Sequence, residues 1–183
     1  MNMSEVRNNT IELILSRRSC RSYLPVVPPR EELEAIVETA RYAPNGRNRQ
    51  VGHYFVITDQ ALLEKLTKLV SEKMEPFAQR DFRYAAPAMI VVCSRKDCPS
   101  ALQDAGCAME NMMLAATSLG LGSRWVNQMA NLSDDPDLRA LMTPLGLDDE
   151  ERVCASLILG RPAEPLPQRE ERFGNRVTWV EGG

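Results

Sequence analysis

The chain has 183 residues, of which 44% are hydrophobic and 26% are charged, and its formal net charge is −3. These values fit a single globular domain over residues 1–183 with enough apolar residues for a buried core. A weakly negative chain lacks the global positive field that attracts nucleic acid or an anionic membrane, so neither is an expected partner. No apolar run is long enough to span a bilayer and no signal peptide is recognisable, so a cytoplasmic location is expected.

The N-terminal half of the chain predicts three helices and one strand. Apolar residues recur at helical spacing in three segments, and one segment is rich in the β-branched and aromatic residues that favour strands. Residues 72–86 are ambiguous, with a mobile, partly helical flap as one interpretation. The predicted helices are residues 10–18, 31–41 and 59–70, and the predicted strand is residues 51–58.

The C-terminal half predicts the longest helix of the chain, over residues 99–119. This helix is apolar on most sides, so it is either a central core helix with one wet edge or a helix shared between the core and a dimer interface. A surface helix is predicted over residues 134–142, with Ser133 as its candidate N-cap. The predicted strands of this half are residues 89–94, 123–127 and 153–160.

The composition of the C-terminal segment, residues 163–183, changes in an unusual order. Residues 163–175 are rich in proline and charge, whereas residues 176–180 return to strand composition with Val177 and Trp179 on one side. A structureless stretch that leads to an apolar strand is uncommon inside a compact domain. The pattern therefore predicts an arm that reaches a second subunit and adds a strand there.

A basic cluster follows the first predicted helix. Arg17, Arg18 and Arg21 lie beside two serines within residues 17–23. Guanidinium groups match the oxygens of a phosphate two at a time, so the cluster fits a site for a dense anion. The alternative interpretation is a solvated basic helix end, because positive charge also stabilises a helix C-terminus.

The side chains offer little catalytic chemistry of their own. The chain has one histidine, His53, and it lies within a predicted strand. This disfavours a Ser-His-Asp or Cys-His catalytic site. Its five cysteines include no Cys-x-x-Cys pair, so reduced thiols are expected and no metal site is predicted. An enzyme of this composition needs a cofactor, and amide-bearing residues 43–50 suit hydrogen bonds to a polyol or a heterocycle edge.

Five short segments, in order over nearly the whole chain, carry a family resemblance. They are Arg17-Arg18-Ser19-Cys20-Arg21, the eight residues from Ala43 to Gln50, Gly120-Leu121-Gly122-Ser123-Arg124-Trp125, Leu159-Gly160-Arg161-Pro162 and Val177-Thr178-Trp179. Together they resemble the nitroreductase family of FMN-dependent oxidoreductases. The resemblance implies an α+β fold, with a mixed β-sheet flanked by helices. It also implies an intertwined homodimer in which the C-terminal arm, residues 163–183, exchanges a strand between subunits.

The resemblance also implies an FMN site at the dimer interface. Arg17, Arg18 and Ser19 would hold the phosphate and nearby ribityl oxygens, and Arg21 would lie near the N1/O2 edge of the flavin. Where the family usually has Ser-Ser, this chain has Asn45-Gly46, and Val51-Gly52 replaces Pro-Trp. The other implied contacts are Pro44, Asn45, Gly46, Asn48 and Gln50 from the partner's loop, Trp125, Val126 and Asn127 beside the ring, and Arg169 and Arg172 at the phosphate.

The implied activity is transfer of hydride from NAD(P)H through FMN to a nitroaromatic, a quinone or a similar small acceptor, by a ping-pong mechanism. Because one fold hosts several reactions, dehalogenation or flavin breakdown is an alternative. A second alternative is a flavin-binding sensor or carrier without turnover. No catalytic side chain is expected, since the flavin itself carries the reaction.

Overall fold

A computed structural model describes residues 7–75 and 80–182. Helices are interspersed with strands that form an antiparallel sheet, which confirms the predicted α+β class. Among the helices of this part of the chain, none combines the length and apolar character that crossing a bilayer needs. The helices are α1 (Asn9–Ser16), α2 (Arg30–Arg41), α3 (Gln60–Lys73), α4 (Ala101–Ser118), α5 (Gln128–Asn131) and α6 (Pro136–Met142). The strands are β1 (His53–Ile57), β2 (Ala88–Arg95), β3 (Gly122–Val126) and β4 (Glu151–Gly160).

The four strands form one sheet in the order β1-β2-β4-β3. Every pairing between them is antiparallel, with Phe55 opposite Val91, and Leu157 opposite both Ile90 and Trp125. The sheet was expected to be mixed. Within the described residues, all three pairs of named strands are instead antiparallel.

Helices cover both faces of the sheet, and alternate residues of β2 contribute to two separate cores. Val91 packs with residues of α3 and α6, whereas Ile90 and Val92 pack with residues of α2 and α4. Neighbouring strand residues point to opposite faces, so a central strand that is buried on both sides reads as a continuous apolar run. That reason explains why the strand was predictable from residues 89–94.

Helix α4 packs in the core of the chain, as both interpretations of its composition require. Its apolar side is buried against the sheet and α2, with Met109 and Met112 wholly inaccessible. Asn111, on its polar side, donates from Nδ2 to the carbonyl of Thr39 in α2 at 2.9 Å. The polar edge of α4 therefore also contributes to packing between helices.

The structure also differs from the sequence analysis in details of the helices and of the segment 72–86. The N-cap of α6 is Asp135, which accepts from the amide of Asp137, rather than Ser133, whose hydroxyl instead accepts from the amide of Val153. Short helix α5 was not predicted. In the ambiguous segment 72–86, helix α3 continues to Lys73, residues 76–79 lie outside the described part of the chain, and residues 80–87 form turns.

The C-terminal residues lie away from the body of the chain. Residues 176–180 were predicted to be a strand, but they pair with no strand among the described residues. Trp179 is 82% exposed and Val180 is 92% exposed, and Phe173 and Val177 are similarly open. Within a single chain, this segment therefore forms no strand with the described residues, although its composition favours one.

The five cysteines are free thiols. Four are buried and Cys107 on α4 is exposed. Burial raises the pKa of the Cys93 and Cys154 thiols above the usual value, so both stay protonated and pack as small apolar groups.

Leu66 of α3 tests the packing of the first core. Its side chain is fully buried, so Leu66→Ala should lower the free energy of unfolding by about 2–5 kcal/mol. Urea denaturation measures this change. Lys65→Ala is the control, because Lys65 is exposed on the same helix and should change stability by less than about 0.5 kcal/mol. Equal losses in the two variants would contradict the assigned core.

Candidate functional site

The basic segment predicted to bind an anion runs along one edge of the sheet. Helix α1 ends at Arg17, and the chain then continues extended beside β3. Ser19 forms a parallel bridge with Ser123, and the amide of Cys20 donates to the carbonyl of Ser123 at 3.0 Å. This pairing fixes the backbone between Arg17 and Arg21 at the open edge of β3.

Close contact between this segment and β3 depends on a glycine. A Cβ on Gly122 would lie 2.6 Å from Sγ of Cys20, a distance that side chains do not tolerate. Cys20 itself is buried in the first core, which anchors the segment to the body of the protein. Further along, the amide of Leu24 donates to the carbonyl of Arg161 at 2.9 Å, so both ends of the segment are held.

The three guanidinium groups of the segment have different surroundings. Arg18 folds back and donates from Nη1 to the carbonyls of Leu15 and Arg17 at 2.9 and 2.7 Å, as a residue that stabilises a helix end would. Half-buried Arg17 and exposed Arg21 make no side-chain hydrogen bond or ion pair with any described residue. Their charge is available to an external anion.

A buried hydroxyl next to the bridge also lacks a partner. Oγ of Ser123, in a residue that is 1% exposed, makes no hydrogen bond within the described residues. An unpaired buried hydroxyl costs free energy, and this one belongs to the residue that pairs with Ser19. The exposed or half-buried side chains of Arg17, Ser19 and Arg21 supply donors that fit an anion with several oxygen acceptors, such as a phosphomonoester on a polyol.

The predicted ring-contact residues after Arg124 lie at the end of the same strand. Trp125 is half-buried beside the α4 side of the sheet, and its indole Nε1 donates to Oδ1 of Asn127 at 2.5 Å. Val126 points to the opposite face and is buried. The structure therefore brings the basic segment and the Trp125 to Asn127 stretch onto adjacent backbones.

The loop of residues 43–50 is a second, separate part of the candidate site. Arg47, Asn48 and Gln50 have φ of 56°, 53° and 52°, a left-handed conformation that is rare outside glycine. Oδ1 of Asn45 accepts from the amide of Gln50 at 3.0 Å and holds the loop closed. Several strained residues in one short loop are typical of functional segments.

A cavity of about 380 Å³ lies between this loop, the end of α2 and the start of α4. Its lining residues include Asp104 and Ser94, whose buried Oγ has no hydrogen-bond partner among the described residues. Burial, and then the negative charge of Asp104, raise the pKa of Tyr54, so its phenol stays protonated. Tyr54 donates to the carbonyl of Ala40 at 3.3 Å at the side of this cavity.

The predicted convergence of the whole set is not reached within one chain. Pro44, Asn48 and Gln50 are exposed on their loop, and Arg169 and Arg172 are exposed on the C-terminal arm. The first residue of the arm is joined to the basic segment, since the amide of Ala163 donates to the carbonyl of Ser22 at 3.0 Å. Among the described residues, no hydrogen bond or ion pair joins the loop, or the side chains of Arg169 and Arg172, to that segment. The single chain thus presents the set as three separate groups.

Sequence reasoning missed two residues of these groups. Asp104 contacts the loop across 58 positions, and its only local signal is the spacing of four from Ser100, which fits one helical turn. Ser123 belongs to one of the motifs that carry the resemblance. Nothing in the sequence indicates that its hydroxyl is buried and has no partner among the described residues.

An antiparallel sheet with helices on both faces, and with a basic segment along one edge, defines an α+β protein. The model of the Nitroreductase family matches residues 14–161. The chain belongs to this family.

Known relatives agree with this assignment. A putative NADH dehydrogenase/NAD(P)H nitroreductase of Archaeoglobus fulgidus is 31% identical over 89% of this chain and 92% of its own length. A crystal structure of a nitroreductase with bound FMN from Bacteroides fragilis matches with a TM-score of 0.90 and 32% identity, over 96% of this chain and all of that one. The iodotyrosine deiodinase of Thermotoga neapolitana is 23% identical over 86% of this chain and 90% of its own.

Gly122→Ala tests the close contact between the basic segment and β3. The added methyl group would overlap the Cys20 side chain, so the free energy of unfolding should fall by about 1–3 kcal/mol. Gly182→Ala is the control, because no atom lies within 4 Å of a Cβ at that position. Chemical denaturation of both variants gives the comparison. Unchanged stability in Gly122→Ala would show that the two backbones do not lie this close.

Proposed function

We propose that the chain is an FMN-dependent oxidoreductase that passes hydride from NAD(P)H to a nitroaromatic, a quinone or a similar small acceptor. The observation that carries the proposal is the pairing of the basic segment with β3, beside which the side chains of Arg17 and Arg21 make no hydrogen bond or ion pair with any described residue. Support comes from the FMN-bound nitroreductase of Bacteroides fragilis, which matches over nearly the whole chain. When bound, FMN supplies two-electron redox chemistry, which takes hydride from one substrate and gives it to the next.

The basic segment is assigned to the phosphate end of the cofactor. Arg17 and Ser19 donate to phosphate and ribityl oxygens, and Arg18 adds charge from the helix end. The positive charge of Arg21 lies beside the redox group and favours its electron-rich form. Arg169 and Arg172 lie on the proline- and charge-rich part of the C-terminal arm. They complete the phosphate site when the arm moves toward the basic segment.

The ring end of the cofactor is assigned to two further groups. Trp125, Val126 and Asn127 line one edge, with the indole held in place by its hydrogen bond to Asn127. The loop of residues 43–50, supplied by the partner subunit, covers the ring through Pro44, Asn45, Gly46, Asn48 and Gln50. No protein side chain needs to act as an acid or base, because a solvent proton completes reduction of the acceptor. Both substrates use one pocket in turn, which gives ping-pong kinetics.

The assembly is proposed to be a homodimer joined by the C-terminal arms. The arm exposes apolar residues on an extended backbone, and β1 has no strand on its outer edge among the described residues. A groove lined by residues of β1 and by Leu62 and Leu145 follows that edge. A strand with free donors and acceptors is a template for another strand, so we assign residues 176–180 of a second copy to this groove.

The relation to the iodotyrosine deiodinase supports a second candidate reaction, reductive dehalogenation of a phenol at the same site. Incubation with a reductant and a halogenated phenol, followed by product analysis, separates this reaction from quinone or nitro reduction. A yellow protein that oxidises no NAD(P)H with any acceptor would instead be a flavin carrier.

Flavin binding tests the assigned phosphate site. The purified protein should bind FMN and oxidise NAD(P)H with a quinone, and Arg17→Ala should weaken FMN at least tenfold, since a charge-assisted pair contributes about 1.5–3 kcal/mol. Fluorescence titration measures the dissociation constant. Arg30→Ala is the control, because Arg30 is exposed on α2 and pairs with Glu34. A colourless protein that binds no added FMN would refute the proposed function, and an unchanged affinity would remove Arg17 from the site.

Removal of the arm tests the dimer. The intact chain should have twice the monomer mass of 20.5 kDa in light scattering, and a chain that stops after Asn175 should behave as a monomer. Val56→Lys should weaken the dimer as well, because Val56 is 42% exposed on β1 and a lysine there discourages strand addition. Lys65→Ala serves as the control that stays dimeric. A shortened chain that keeps the dimer mass would contradict the assigned role of the arm.

A further inference from the structure

The loop of residues 43–50 is joined to the start of α4 by one half-buried carboxylate. Oδ1 of Asp104 accepts from the amide of Gly46 at 2.9 Å. Oδ2 of the same side chain accepts from the hydroxyl of Ser100 at 3.0 Å. A carboxylate that accepts from two fixed donors is held in one orientation, and hydrogen bonds to a charged group are stronger than neutral ones.

Gly46 allows the loop to approach α4 this closely. A Cβ at this position would lie 2.2 Å from Oγ and 3.0 Å from Cβ of Ser100. Any other residue would therefore push the loop away from the helix and stretch the hydrogen bond to Asp104. A glycine is needed here for the close contact with Ser100. It is not needed for the backbone angle, because φ of Gly46 is not left-handed.

The strained part of the loop begins directly after this contact. Arg47, Asn48 and Gln50 take left-handed conformations, which persist only where surrounding contacts fix them. Contacts from outside the loop come from Asp104 and from Asp97, which pairs with Arg49 at 3.5 Å. The carboxylate of Asp97 is 55% exposed, and an exposed ion pair restrains little.

We propose that Asp104 is a positioning residue for flavin binding: it fixes Gly46 and so holds the loop of residues 43–50 in the conformation that covers the cofactor. This inference rests on the proposed function, in which that loop covers the ring of FMN bound to the other subunit. Asp104 acts through the loop and touches neither cofactor nor substrate. Its removal leaves the loop free to relax its three left-handed residues, so the covering surface is no longer preformed.

Amide hydrogen exchange of the flavin-free protein tests the contact itself. In Asp104→Ala, the amides of residues 46–50 should exchange about tenfold faster or more, since loss of ~1.4 kcal/mol corresponds to a factor of ten. Asp104→Asn should restore most of the protection, because its amide oxygen still accepts from Gly46. Asp97→Ala is the matched control and should change exchange little.

A second pair of variants tests the close approach. Gly46→Ala should increase exchange in the same loop, and Gly46→Ala combined with Ser100→Gly should slow it again to the level of Ser100→Gly alone, because the colliding side chain is gone. Ser100→Gly alone measures the loss of the hydroxyl that donates to Asp104. Exchange in the double variant as fast as in Gly46→Ala, with slow exchange in Ser100→Gly alone, would overturn the assigned contact.

FMN titration with each variant tests the consequence for the cofactor. Asp104→Ala should weaken FMN about tenfold and alter the visible circular dichroism of the bound flavin, and Asp104→Asn should recover both. Unchanged exchange in Asp104→Ala overturns the inference, and faster exchange with unchanged FMN affinity overturns the link to the cofactor. If the wild-type protein binds no FMN, the proposed function and the positioning role both fail, whereas the exchange data still judge the loop contact.

Discussion

The candidate site depends on one short backbone pairing, between Ser19 and Ser123. The bridge is a single pair of residues, but it places a basic segment that leaves α1 alongside the strand that ends in Trp125. Gly122 and buried Cys20 make the approach possible. Without that pairing, the arginines would be the solvated end of a helix.

The elements that sequence reasoning predicted are those with a strong local pattern. The continuous apolar run of β2 and the helical spacing of α2 and α4 depend on residues close in the chain, so their pattern survives in the structure. The cap of α6 was misplaced because Ser133 and Asp135 both suit an N-cap. Ser133 does not cap the helix because its hydroxyl accepts from the amide of Val153, which is distant in the sequence.

The candidate site was predictable in its residue types and not in its contacts. Clustered arginines signal an anion site from sequence alone, and the resemblance named both the family and its cofactor. The anchoring of the loop could not be predicted in the same way, because Asp104 and Gly46 are 58 residues apart and meet only when α4 packs on the sheet. The same contact gives a physical reason for glycine at a position where the resemblance leads one to expect serine, since a side chain would collide with Ser100.

The exposed apolar arm has a consequence for the life of the chain in a cell. Extended backbone that pairs with nothing is the form that proteases bind and cut, and Trp179 and Val180 are open on such a stretch. A newly made chain is therefore open to cleavage at its tail. In the proposed dimer a second copy covers the tail, so cleavage would be fastest where the chain is too dilute for copies to meet.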